Sequence, residues 1–93
     1  MPYIDQVSRN LFSSYIASIA ERIGITPTQR PGEMNYIVSA LIRKVYGEHP
    51  KYADYNEIIG FLEAAKLELY RTRVGPYEQK KEIENGPIYN DTP

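Results

Sequence analysis

The sequence predicts an all-α protein with a three-helix core, and two observations support this fold class. Three segments repeat apolar residues every three or four positions, as amphipathic helices do, and no segment alternates as a strand does. Stretches rich in proline and glycine separate these segments. We therefore expect one helical domain over residues 1–84, with a long third helix followed by a short C-terminal helix, and an extended tail over residues 85–93.

The first helix is predicted between Ile4 and Ile23, where apolar residues form a single stripe. Asp5 or Ser8 can cap its start, because both side chains accept hydrogen bonds from free backbone N–H groups, and Gly24 is placed to end it. The following stretch, ITPTQRPG, consists of turn-forming residues and is expected to be a linker.

The second helix is predicted to start near Pro31, whose fixed φ angle and missing N–H suit the first helical turn. Its apolar stripe runs from Met34 to Val45, and Gly47 and Pro50 are expected to end it. The stretch KYADY is then expected to form a second connection.

The third helix is predicted over NEIIGFLEAAKLELYRTRV, with Asp54 or Asn56 as its cap. One face is an ordinary core stripe, formed by Ile58, Leu62, Ala65 and Leu69. The nearly opposite face carries Ile59, Gly60, Leu67, Tyr70 and Val74, with Asn56 and Glu63 among them. A helix that is apolar on two sides must be covered on both sides. We expect the C-terminal segment or another copy of the chain to cover the second face.

Two residues of the third helix have special backbone properties. Gly60 destabilises a helix interior by about 1 kcal/mol relative to alanine, and it either allows another backbone to approach closely or fits tightly within the monomer. Pro76 cannot continue a regular helix, because its ring clashes with the carbonyl group of Thr72. The chain is expected to kink near Gly75 and Pro76, or to stop there and restart as a short helix that ends at the Asn-Gly pair at 85–86.

The composition indicates a small globular protein that gains stability by self-association. A chain of 93 residues without cysteine has no disulfides to stabilise it, so oligomerisation is the remaining support. Nine tyrosines, against two phenylalanines and no tryptophan, are typical of half-exposed surfaces that meet a partner. We expect a homo-oligomer, with self-association residues Ile59, Gly60, Glu63, Leu67, Val74 and Tyr89.

Charge and hydropathy disfavour two classes of partner. A net charge of −1 provides no field that attracts the phosphate backbone, which argues against non-specific nucleic-acid binding. No run approaches the roughly 18 apolar residues of a membrane span, and the start MPYIDQ lacks the regions of a signal peptide. We therefore expect a cytoplasmic protein that does not bind membranes.

The sequence offers few residues for catalysis. Its single histidine, His49, precedes a proline in a turn, and without cysteine a zinc site would need carboxylate ligands. No glycine-rich phosphate loop is present. We expect no enzymatic activity, no cofactor and no metal, with a metal-dependent enzyme built on Glu63 as a third alternative. The other carboxylates are expected to form surface ion pairs: Glu63 with Lys66, Glu68 with Arg71, Glu78 with Lys81, and Lys80 with Glu84.

Basic and aromatic residues interleave at the end of the third helix. Arginine binds phosphate through two parallel hydrogen bonds, and tyrosine rings stack on nucleobases. The expected ligand-binding residues are Lys66, Tyr70, Arg71, Arg73 and Tyr77, with Asn35 and Tyr36 from the second helix. The alternative is a solvated helix end whose cations interact favourably with the helix dipole.

Four stretches, MPYI, PGEMNYIVSALI, NEIIGFLEAAKLELYR and PYEQKKEIENG, carry a resemblance. In this order, over roughly residues 1–89, they resemble a family of small proteins of unknown function found in phages, prophages and some bacteria. The patterns NEIIGxLExAKxExYR and PYExxKxxENG are specific. One departure is Gly75, where a small apolar residue such as alanine is expected. The resemblance implies a phage accessory protein that acts by binding, and it carries over no catalytic residue.

Two functions are compatible with these features. The first is a non-catalytic, homo-oligomeric phage accessory protein that binds a small anionic, nucleotide-like ligand and sequesters a host defence signal. The alternative is a helical interaction module that docks on a host or phage protein through its tyrosine-rich surface and C-terminal tail. In that case Tyr77 and Tyr89 are the expected anchors, because aromatic residues supply most interface hot spots.

Overall fold

The computed structural model describes residues 3–24 and 27–89, and this part of the chain contains helices and no strand. The helices are α1 (Gln6–Arg22), α2 (Arg30–Tyr46), α3 (Tyr52–Leu69) and α4 (Gly75–Asn85). A 3-10 turn, Pro27–Gln29, precedes α2, and a π-helical segment, Tyr70–Val74, joins α3 to α4. The all-α prediction is confirmed, and so is the long, bent third helix, which spans 34 residues from Tyr52 to Asn85.

The chain divides into two compact units, and the boundary between them in the sequence lies inside α3, between residues 56 and 57. The first unit contains α1 and α2, and the second contains most of the long helix 52–85. Some expectations concern positions outside the described residues: the first two residues of the predicted domain, positions 25 and 26 of the predicted linker, and positions 90–93 of the predicted tail.

Helix α1 starts where the sequence predicts a cap. The side chain of Asp5 accepts a hydrogen bond from the backbone N–H of Ser8 at 2.8 Å, which satisfies a donor that has no partner within the helix. This bond lowers the pKa of the Asp5 carboxyl group. The helix ends at Arg22, two residues before Gly24.

Helix α2 is bounded by a proline and a glycine. Pro31 lies in the first turn, where its missing N–H leaves no helical bond unmade, and Glu33 stands beside it near the positive end of the helix dipole. Gly47 has a φ angle of 84°, a conformation that favours glycine, and its N–H donates to the carbonyl group of Arg43 at 2.8 Å. The predicted start and end of this helix are confirmed.

Helix α3 starts at Tyr52, four residues before the predicted stretch, so KYADY is not a connection for most of its length. Neither predicted residue caps the helix from outside. Instead, the Asp54 carboxylate lies in the first turn and accepts a hydrogen bond from the backbone N–H of Lys51 at 2.9 Å. An acidic residue inside the first turn can therefore accept from the backbone N–H of the residue just before the helix, as the Glu or Gln of a capping box does.

The long helix passes through Pro76 because its backbone widens just before the proline. The N–H of Gly75 donates to the carbonyl group of Tyr70, five residues back, which is the π-helical pattern. A Cβ atom on Gly75 would lie only 3.1 Å from that carbonyl oxygen, so glycine suits this position. Of the two outcomes expected at Pro76, the chain adopts a bend without interruption.

The apolar faces of the helices are present, but few of their side chains are buried. Among the described residues, the buried hydrophobic side chains are Ile23 and Ile58, which are 9% and 8% exposed. Of the stripe predicted for the core side of α3, only Ile58 is buried, and Leu62 and Leu69 are exposed. In the described part of the chain, no helix is both long and apolar enough to cross a membrane.

Candidate functional site

The predicted ligand-binding residues of the third helix lie close together along helix 52–85. We call Lys66, Tyr70, Arg71, Arg73 and Tyr77 the basic-aromatic band. The last residue of the band follows Pro76, and three of the five lie in the π-helical segment. Because that segment departs from regular α-helical geometry, it alters the directions of the side chains that follow it.

Carboxylates already pair with two cations of the band. The Lys66 ammonium group lies 3.4 Å from a carboxylate oxygen of Glu63, and the Arg71 guanidinium lies 2.6 Å from Glu68. Both predicted pairs are confirmed, and all four side chains are substantially exposed. An anionic ligand would have to compete with these carboxylates for the two cations.

Tyr70 is held by a carboxylate on the other side of the bend. Its hydroxyl group donates to the Glu78 carboxylate at 2.6 Å, which ties the π-helical segment to α4. This hydrogen bond, together with the negative charge of Glu78, raises the pKa of the Tyr70 hydroxyl above its ordinary value. The phenol therefore stays protonated and stays a donor to higher pH than an isolated tyrosine.

The tyrosine contact changes the ion pairs on α4. The predicted pair of Glu78 with Lys81 is wrong, because Glu78 accepts from Tyr70 instead. The predicted pair of Lys80 with Glu84 is also wrong: Lys81 takes Glu84, at 3.2 Å. The Lys81 ammonium also lies 5.8 Å from the ring centroid of Tyr77, within the range of a cation–π interaction.

Two cations of this region remain without an ion pair. Within the part of the chain that the structure describes, Arg73 and Lys80 have no carboxylate within ion-pair distance. Arg73 belongs to the predicted ligand-binding set, whereas the sequence indicated Lys80 only as a surface ion-pair residue. These two side chains are the positive groups of the region that can receive an added anion.

The other predicted ligand-binding residues, Asn35 and Tyr36, lie on α2 in the first compact unit. Tyr36 lines an open depression of about 500 Å³, and Asn35 does not line it. The remaining lining residues are Thr28, Gln29, Gly32, Glu33 and Ile37. Glu33 is the charged residue among them, so this depression does not present the cations that the ligand hypothesis needs.

The predicted self-association residues of α3 are accessible. Ile59 and Leu67 are 66% and 55% exposed, and Val74 is half-buried within the π-helical segment. A Cβ atom built on Gly60 would meet nothing within 4 Å, so tight packing within the monomer does not explain this glycine. Glu63 projects beside them with its partner Lys66.

The C-terminal end of α4 forms a second open depression, of about 510 Å³. The helix ends at Gly86, which has a φ angle of 90° and whose N–H donates to the carbonyl group of Glu82. This stop is as predicted from the Asn-Gly pair. Beyond it, Ile88 and Tyr89 line the depression and are 92% and 90% exposed. The described part of the tail therefore buries almost no apolar area.

Metal-binding groups do not come together among residues 3–24 and 27–89. No three histidine or carboxylate side chains in these ranges are placed to hold one ion. His49 is an exposed residue between α2 and α3.

Sequence reasoning missed the π-helical segment and the hydrogen bond between Tyr70 and Glu78. In a regular α-helix, residues eight apart lie two turns apart and about 80° apart around the axis, so they do not interact as pairs three or four apart do. The extra residue of the π-helical segment brings them together. Pro76 was the available signal, because a proline inside a helical pattern requires some local change in the backbone.

The model of a domain of unknown function, DUF6899, matches residues 1–88. The chain belongs to the DUF6899 family. No curated protein and no solved structure matches the chain. The DUF6899 assignment agrees with the expected resemblance to an uncharacterised family, and it brings no assigned activity to the basic-aromatic band.

Proposed function

We propose that this DUF6899 protein is a non-catalytic helical interaction protein that works as a homo-oligomer in the cytoplasm. The observation that carries the proposal is the exposure of apolar side chains on helix 52–85. Ile59, Phe61, Leu62, Leu67 and Leu69 are all exposed, although α3 is apolar on two faces. A helix of this composition is stable in water only when other elements cover it.

The second compact unit supports the same proposal. Among its described residues, 57–89, helix 57–85 has no other helix to cover it. Its apolar side chains therefore need cover from outside the unit.

Native mass spectrometry, combined with circular dichroism over a dilution series, tests this proposal. We expect a defined multiple of 10.7 kDa and a helical signal that falls when dilution separates the copies, because assembly and folding are then coupled. A monomer that keeps its helical signal and its melting temperature at every concentration overturns the proposal. In that case the apolar faces must be covered within one chain.

The exposed end of α4 supports a protein partner beyond other copies of the chain. Ile88 and Tyr89 offer an apolar side chain and an aromatic ring beside a charged helix end. The resemblance to phage and prophage proteins makes a host or phage protein the proposed partner. Deleting residues 85–93 is expected to abolish co-purification of that partner, while Tyr52→Ala, an exposed tyrosine outside the tail, is expected to preserve it. Equal loss in both variants contradicts this role of the tail.

A small anionic, nucleotide-like ligand is the second candidate, and the two cations without an ion pair, Arg73 and Lys80, favour it. Guanidinium groups bind phosphate with two hydrogen bonds, and Tyr77 supplies a ring on α4, between these two cations in the sequence. If the protein sequesters a host signal, native mass spectrometry of protein purified from the host should show an added mass of a few hundred daltons.

The matched variants for this candidate are Arg73→Ala and Tyr70→Ala, with Arg22→Ala on α1 as the control. AMP and inorganic phosphate serve as probes in calorimetric titrations. We expect at least a tenfold weaker affinity for the first two variants and no change for the control. Unchanged AMP binding in Arg73→Ala and Tyr70→Ala rules out the ligand site at the band.

A further inference from the structure

Charge is strongly segregated along helix 52–85. Residues 52–65 contain three carboxylates and no lysine or arginine. Residues 66–81 contain five lysine or arginine residues and two carboxylates, both of which are held, Glu68 by Arg71 and Glu78 by Tyr70. The first part of the helix is therefore acidic and the following part is basic, with the change of sign between Ala65 and Lys66.

One seam of side chains runs across this change of sign. Its members alternate at spacings of four and three, as along the contact line of a coiled coil. The seam consists of Asn56, Gly60, Glu63, Leu67 and Tyr70 and ends where the π-helical segment begins. Leu67 and Tyr70 are half-exposed, and the surface at Gly60 is open, with no atom within 4 Å of where a Cβ would lie.

We propose that two copies of the chain pair through this seam in an antiparallel arrangement. This inference rests on the proposed homo-oligomer and names its contact surface. In an antiparallel pair, the acidic half of each helix faces the basic half of the other, and opposite charges attract. A parallel pair would set acidic against acidic and basic against basic. The charge pattern therefore selects a second copy in the reversed direction.

The seam also fixes the register of the pair. Between Gly60 and Tyr70 it reads the same in both directions about residue 65, so that Gly60 faces Tyr70 and Glu63 faces Leu67. In this register the missing side chain of Gly60 leaves room for the Tyr70 ring of the other copy. Glu63 lies within one turn of Lys66 of the other copy, so the ion pair seen within one chain can be shared between two.

Cysteine cross-linking tests the direction, because the chain has no cysteine of its own. We expect a mixture of Gly60→Cys and Tyr70→Cys to form a mixed cross-link with a short bismaleimide. Neither variant should cross-link to itself, because identical positions then lie about 15 Å apart along the helix axis. Ala65→Cys is the control: it lies level with the axis of symmetry but on the opposite side of the helix, so it should not react.

The outcomes separate this inference from the proposed function. An oligomer in which Gly60→Cys links to itself is parallel, and an oligomer in which no seam position links uses another surface. Either result overturns the antiparallel pair and leaves the homo-oligomer intact. A monomer in native mass spectrometry overturns both. Mixed linking of Gly60→Cys with Tyr70→Cys, without linking through Ala65→Cys, supports the proposed register.

Discussion

Helices α2 and α3 have 17 and 18 residues, yet they distribute apolar side chains differently. α2 keeps them on one stripe and places Glu33, Arg43 and Lys44 elsewhere, so that one neighbour is enough to cover it. α3 has apolar side chains on two nearly opposite faces and no lysine or arginine before Lys66. The comparison shows that helical spacing identifies the faces, whereas the number of apolar faces tells how many neighbours a helix requires.

The largest effect is expected from Leu67→Glu, which tests whether the second face of α3 is covered at all. In the antiparallel pair, this change sets a second carboxylate against Glu63 of the other copy at both ends of the symmetric contact and removes two apolar side chains. We expect association to weaken by about 2–4 kcal/mol per chain, measured by sedimentation equilibrium. Ile83→Glu on α4 is the control, since Ile83 is highly exposed and lies outside the seam. Equal weakening by both variants contradicts a specific role for the seam.

Gly60→Ala tests whether the second face of α3 is free or covered, because the two cases predict opposite changes in stability. On a free helix surface, alanine stabilises the helix by about 1 kcal/mol relative to glycine, and nothing in the chain obstructs the added methyl group. Against the Tyr70 ring of another copy, the methyl group overpacks the seam and destabilises the oligomer by about 1–3 kcal/mol. We expect the second result, as a lower melting temperature at fixed protein concentration. A higher melting temperature means that this surface is free.

Gly75→Ala is expected to have a smaller effect and tests the bend itself. Alanine gains helix propensity, but its Cβ would stand 3.1 Å from the Tyr70 carbonyl oxygen, a backbone atom that moves only with the helix. We expect these contributions to offset to within about 1 kcal/mol. Gly32→Ala on α2, where the added Cβ meets nothing within 4 Å, is the matched control and should stabilise more in chemical denaturation. A larger gain from Gly75→Ala would contradict the crowding.

The smallest effect is expected from pH, through Tyr70. The folded-state pKa of Tyr70 is raised above the ordinary value of 10.0, so its contribution to stability is fully present below pH 10 and is lost as the pH rises through the folded pKa. Ultraviolet titration of phenolate formation should show one tyrosine that ionises late. Glu78→Gln should move its pKa back toward the ordinary value. Late ionisation that persists in this variant means that another group raises the pKa.

Periodicity and caps predicted most of the fold. Asp5, Pro31, Gly47 and Gly86 all act through the local backbone, so the sequence around each of them was sufficient to predict a helix end. The early start of α3 was not predictable in this way. The Lys51 N–H finds its acceptor in Asp54, a residue inside the helix, and a propensity argument treats that residue as a cap position.

The sequence predicted which residues belong to the candidate site, but not which of them pair with one another. The interleaving of cations and tyrosines identified the band, but its charge balance depends on which carboxylate each cation reaches. The π-helical segment brings Glu78 to Tyr70, and Lys81 consequently pairs with Glu84. That rearrangement depends on a backbone hydrogen bond from Gly75, which no side-chain spacing encodes.

The π-helical segment also determines how α4 is phased relative to α3. A π-helical turn accommodates one residue more than an α-helical turn, and each residue of an α-helix corresponds to a rotation of about 100°. Deleting one residue from Tyr70–Val74 would therefore rotate the polar and apolar sides of α4 about the helix axis by roughly that angle. Glu78 would turn away from Tyr70, while the side chains of α3 kept their directions. The length of this five-residue segment therefore determines the directions of the α4 side chains relative to those of α3.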